Sequence, residues 1–163
     1  MVTFPDWFKG GGEDAENLVI DFLNPMVGQL EPAPKIYTWL PDLKKTPPPV
    51  IGLYRVKGFA DPSKGTDYPI IHTLTIARKR SESVAIDEFL RQMLFTARNG
   101  APVLKRDGTF GQIISCAPAD GPEMLPGVDW DERMILSIYQ LETKYVSNSL
   151  SDYEGIVRDL HDR

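Results

Sequence analysis

Three stretches of the sequence predict an α/β (α+β) fold, a mixed, largely antiparallel sheet with two main helices packed on it. The first is Pro69 to Arg78, where Ile70, Leu74 and Ile76 fall at period two with Ile71, Thr73, Thr75 and Ala77 between them. This reads as a β-branched strand with one strongly apolar face, opened by Pro69. In the second, Ile86, Phe89, Leu90, Met93 and Ala97 recur at helical spacing, with Ser83 as the expected N-cap and Asn99-Gly100 as the stop. Only Arg78 to Glu82 joins strand to helix, so the helix folds back over the strand's own sheet. The third runs from Asp14: Ala15, Leu18, Val19, Phe22, Leu23, Met26, Val27 and Leu30 step by threes and fours, the cleanest helical stripe in the chain.

Taken in order, the expected elements are α-β-β-β-α-β-β plus a C-terminal extension. Residues 1–12 read as an irregular arm whose Phe4, Trp7 and Phe8 are apolar enough to dock somewhere. Pro25, inside the first helix, removes a backbone donor and predicts a kink or an early end near Asn24, at a cost of roughly 3 kcal/mol. Ile36 to Leu40 is a short strand, and Pro41 to Pro49 a stiff loop. Val50 to Phe59 follows as a strand with Ile51 and Leu53 on one face and Tyr54 and Val56 on the other, forming an antiparallel hairpin with the central strand.

After the second helix, Asp107-Gly108 marks a turn and Gly111 to Ala117 a fourth strand. Pro118 to Asp131, with its prolines, glycines and acids and no periodicity, reads as a long loop. Met134, Leu136 and Ile138 alternate with Ile135, Tyr139 and Leu141, in a strand that reaches as far as Val146 and projects beyond its sheet. Ser151 to Leu160 carries a capping box, Ser151 with Glu154, and the stripe Tyr153, Ile156, Val157, Leu160. Gly155 and the short length make this helix marginal alone, so residues 147–163 read as an interaction arm completed by a partner.

With 163 residues the chain has the length of one domain, 1–163, with its core at 13–146. No apolar run approaches the roughly 20 residues that span a bilayer, so no membrane partner is expected. The N-terminus lacks the basic start and apolar core of a secretion signal, which favours synthesis in the cytoplasm. The single cysteine, Cys116, reads as core packing. A formal net charge of -5 argues against bulk nonspecific binding of nucleic acid.

No constellation for catalysis, cofactor or metal binding emerges. There is no phosphate-binding glycine loop and no paired cysteine or histidine motif, and His72 and His161 stand apart. The acids Asp129, Asp131, Glu132 and Asp152, Glu154 lack the ligand spacing of a calcium loop. Four cations are the exception. Arg55 with Lys57, and Arg78 with Arg80, share strand faces by alternation, so a hairpin is expected to gather them into one basic patch facing acidic groups of a neighbour or a DNA-conducting lumen.

Several weak signatures occur in a characteristic order: Tyr54-Arg55-Val56-Lys57-Gly58, a loop with Asp67-x-Pro69, alternation into Ala77, a serine-containing helix start, then Gly121-Pro122, Leu125-Pro126, Asp129, Asp131 and Arg133 before the final strand. In these the sequence resembles the tail terminator proteins of long-tailed, siphovirus-type phages of actinobacteria, over about Asp14 to Tyr145. The resemblance implies a structural virion protein and not an enzyme. It implies a subunit that closes into a homo-oligomeric ring, a hexamer, on the head-proximal end of the tail tube, stops tube growth and presents a surface for head joining. The implied partners are other copies of itself, the tail tube protein, a head-completion or neck protein, and genomic DNA passing through the lumen. Long strands and apolar arms fit such a subunit, which can clasp a neighbour by strand addition. The interface candidates are Arg55, Lys57, Arg78 and Arg80, with Tyr153, Ile156, Val157 and Leu160. A head-tail connector or neck adaptor, and a small α/β ligand-binding domain or enzyme, share the size and fold class and stay open.

Overall fold

Helix α1 (Ala15–Val27) begins where the Asp14 carboxylate accepts the Glu16 and Asn17 amides at 3.0 and 3.4 Å. Pro25 does not end it near Asn24, one of the two outcomes expected. The proline sits in the last turn, where little of the hydrogen-bond ladder remains to be lost, and the helix ends two residues later against Gly28. The computed structural model describes residues 2, 3, 5, 6, 14–61, 63–126, 133–144 and 150–161. The expectations for Phe4, Trp7, Phe8, Asp129, Asp131, Glu132 and Val146, and those for the side chains of Ser151, Asp152, Tyr153, Glu154 and His161, lie outside the described residues.

The remaining elements are β1 (Lys35–Tyr37), β2 (Val50–Asp61), β3 (Thr66–Ala77), α2 (Arg80–Thr96) with a 3-10 turn over Ala97–Asn99, β4 (Ala101–Leu104), β5 (Phe110–Pro126), β6 (Arg133–Lys144) and α3 (Leu150–His161). The strands form one sheet in the order β1-β2-β3-β6-β5-β4, with β1 parallel to β2 and every other pairing antiparallel. The expected mixed, largely antiparallel sheet is therefore present, with one strand more than anticipated.

Four local readings are corrected. Ala101–Leu104 is a strand, β4, and not a connection. The supposed loop from Pro118 continues β5 to Pro126. A strand carrying Pro118, Pro122 and Pro126 is tolerated because β4 pairs only with Phe110 to Ile113, so the rest of β5 has a free outer edge and needs no outward donors. Over its described residues β6 does not project: it pairs with β3 from Arg133 to Lys144 and with β5 from Arg133 to Thr143. Helix α2 starts at Arg80 with Lys79 as N-cap, three residues before Ser83. That serine is buried in the first turn, where its hydroxyl accepts the Ala77 amide at 3.0 Å and ties strand to helix.

Alternation along the strands sends one set of side chains toward the helices. Ile51 and Leu53, Ile71, Tyr139 and Leu141, Ile113 and Cys116 pack there with Leu18, Val19, Leu23 and Val27 of α1 and Leu90 and Leu94 of α2. Helix α1 touches both β2 and β4, strands far apart in the sheet order, so the sheet curls around it, while α2 crosses β3, β6 and β5. No helix among the described residues is long and apolar enough to cross a membrane.

Candidate interaction surfaces

The four cations do not form the expected patch. A β-bulge between Arg55 and Lys57 shifts the register, so Arg55 pairs with Ile71 on the helix face while Lys57 pairs with Ile70 on the opposite one. The Arg55 guanidinium forks onto Asp67 at 2.6 and 2.8 Å, a bidentate pair in which the carboxylate is almost wholly buried. Arg55 is thus committed inside its own subunit. Arg78 and Arg80 lie beyond the end of β3, seven and nine residues from the Ile71 partner of Arg55, and both are exposed at the start of α2.

The sheet face turned away from the helices carries rows of cross-strand neighbours from β2, β3 and β6: Val50–Ile76–Met134, Gly52–Leu74–Leu136, Tyr54–His72–Ile138 and Lys57–Ile70–Gln140. Ile70, Leu74, Met134, Leu136 and Ile138 are only half-buried, so the middle of this face is apolar and uncovered. Tyr54 lies across Gly52, where a Cβ would meet the phenol oxygen at 2.4 Å. Burial raises the Tyr54 pKa. His72, in mid-sheet and not at an edge, has its pKa lowered by desolvation and then by nearby Lys57, so its neutral form is favoured. Beside this face Phe59 stacks on Tyr68, with ring centroids 5.0 Å apart, yet stays 65% exposed. Gly58 makes their approach possible: at φ +118 its Cα sits where a Cβ would strike the Tyr68 carbonyl oxygen at 2.2 Å.

A second surface lies on the helix side, where α2 runs over β5. Here α2 and β5 bound a cleft of about 430 Å³ lined by Glu88, Arg91, Gln92, Phe95, Cys116, Pro118 and Tyr139. A hollow of about 110 Å³ continues it past Glu88 and Arg91 to Val84, Pro122 and Met124. Beneath the rim Asp87 accepts the Ser137 hydroxyl at 2.8 Å. Desolvation raises the Asp87 pKa, against the lowering by Ser137 and Arg91. Burial pushes the Cys116 thiol up to about 12, so it is an inert packing group as its setting in the sequence implied. Among the described residues no three His, Cys, Asp or Glu side chains cluster to hold a metal.

Of the C-terminal stripe, Ile156 is half-buried while Val157 and Leu160 are 46% and 54% exposed, so α3 leaves apolar surface uncovered on its own subunit. Sequence reasoning missed the cleft because it depends on β5 continuing through three prolines. It missed the extent of the open face because residue patterns do not reveal which side of a sheet the helices leave bare.

Comparison with curated proteins gives no match. A family profile described as phage tail termination protein matches residues 11–149, from before α1 to beyond the end of the sheet. That span takes in α1, α2 and the six strands of the sheet, and on it the chain belongs to the phage tail termination protein family, a structural family of the virion.

Proposed function

We propose that the chain closes with other copies of itself into a six-membered ring on the head-proximal end of the tail tube of a long-tailed phage, where it ends tube growth and offers the surface to which the head joins. Family membership implies contacts with other tail or head proteins. The observation that carries the ring reading is the uncovered apolar face of β2, β3 and β6: a structural subunit with such a face, and with a helix whose stripe is bare, is built to be completed by neighbours. Lys57, Arg78 and Arg80, all exposed, are assigned to the ring's contacts with acidic groups or to the DNA-conducting lumen; Arg55 is not, because Asp67 holds it.

The test is a phage lacking this protein. Tails of uncontrolled length that fail to join heads are expected, with normal length and joining restored by the purified chain, and a ring of six at one tube end in electron micrographs. Tails of normal length joined to heads in its absence sink the reading.

A further inference from the structure

The uncovered face of the sheet carries opposite charges along its two long sides. Its rows continue from β6 onto β5, where Ala117 lies beside Gln140, Asp120 beside Ile138 and Glu123 beside Leu136. Exposed Lys57 of β2 therefore marks one side, and exposed Asp120 and Glu123 of β5 mark the other. Between them stand the half-buried side chains Ile70, Leu74, Leu136 and Ile138. Lys57 and Asp120 belong to adjacent rows, about 7 Å apart along the strands, a span that a lysine side chain covers.

This layout selects a second copy of the chain as the occupant. A broad apolar sheet face is completed by another of its kind, about 10 Å away with the strands nearly aligned, and a patch that meets its own copy does so about a two-fold axis. With that axis along the strands, β3 lies over β6 of the second copy and β2 over its β5. Each Lys57 then faces the acidic side opposite, so the charge contact is made twice. With the axis across the strands, like charges would lie along one another, which disfavours that arrangement. Four strands at about 4.8 Å and the length from Met134 to Glu142 at about 3.4 Å per residue give a face of roughly 570 Å². Two such faces bury about 1,100 Å², the size of a specific contact that forms and parts readily.

We propose that the free chain pairs with a second copy through the bare faces of β2, β3, β6 and β5, with Lys57 of each copy against Asp120 and Glu123 of the other. A two-fold contact is complete at two copies and cannot by itself continue into a ring of six. The pair is therefore a storage form, which shields the apolar face until a tube end is present and opens as the ring closes. The storage role rests on the reading of the chain as a ring subunit; the pairing does not.

Sedimentation of the full chain without tubes, from micromolar to submillimolar concentration, tests it. A monomer–dimer equilibrium is expected. Leu74→Asp, in the middle of the face, and Lys57→Glu, at its side, are each expected to weaken pairing at least about tenfold. Lys57 is exposed, so its variant keeps the fold if the leucine variant does not. Asp120→Lys with Glu123→Lys is expected to pair as poorly as Lys57→Glu, and an equimolar mixture of these two variants to recover pairing, because both charge contacts are then between opposite signs. A chain that stays monomeric throughout overturns the proposal and leaves the ring on tubes untouched. Pairing as strong in Lys57→Glu as in the parent puts the contact elsewhere and overturns it too. A free ring of six supports the proposed function and overturns this inference. If pairs form as expected while phages lacking the protein make normal tails, the ring reading fails and the pairing stands.

Discussion

The Glu16 carboxylate of α1 accepts the backbone amide of Arg55 on β2 at 2.7 Å, across 39 residues of sequence. Arg55 lies three residues past Gly52, the last partner of β1, so its amide has no neighbouring strand to meet. A helix side chain fills the outer edge of the sheet at that point, beside the Arg55–Asp67 pair.

Glu16→Ala is expected to destabilise the fold by about 1–2 kcal/mol, because it strands a part-buried amide, and Glu16→Gln to recover most of the loss by keeping an acceptor. Urea denaturation measures both. An alanine variant as stable as the parent shows that the amide finds another partner.

Arg55→Met leaves a nearly buried Asp67 carboxylate without its cation, at an expected cost of about 3 kcal/mol. Asp67→Asn is expected to cost less, because the Arg55 side chain is 32% exposed and reaches water. A double-mutant cycle with Arg55→Met and Asp67→Leu checks the asymmetry: the double variant is expected to be more stable than Arg55→Met alone.

Asp87 predicts an inverse pH dependence. Its folded-state pKa is raised by desolvation, so its ionised form opposes folding, and the penalty grows as pH climbs from the ordinary value of 3.8 through the raised one. Asp87→Asn, which keeps an acceptor for Ser137, is therefore expected to stabilise the protein at pH 7 and to lose that advantage below about pH 4. Thermal melts across that range decide it; equal gains at both ends contradict the assignment.

His72 titrates the other way. Its pKa is lowered in the folded state by burial and by Lys57, so its contribution is intact above 6.5 and lost as pH falls through the lowered value. His72→Gln is expected to flatten the pH dependence of the melting temperature between about pH 7 and 5, and Lys57→Gln to do so in part. Unchanged curves in both variants remove His72 from the account.

The regular parts of this fold were plain in the sequence: the stripe from Ala15 to Val27, the alternation through Ile71 to Ala77 and the apolar set from Ile86 to Ala97 each became the element they described. The misreadings have physical causes. Pro118, Gly121 and Pro122 suit a loop, and only the free outer edge of β5 lets them serve as strand. Four residues containing Pro102 are too few to show a period, so β4 was invisible. A single bulge after Arg55 undid the basic patch, since one inserted residue reverses every side chain beyond it. The sites followed suit. The stripe of α3 was legible, whereas the cleft beside Tyr139 needs β5 and β6 to lie side by side before it exists.

The unpaired stretches of the long strands β2 and β5 are poor templates for growth. A subunit that passed backbone pairing from copy to copy through bare outer strands would extend without end, like a fibril, with no fixed number of members. Here the prolines and register shifts of β5 and the Glu16 cap on β2 hinder that route where these strands run past β4 and β1. In the proposed ring, copies of this chain recognise one another through side-chain surfaces of fixed shape, which count their members.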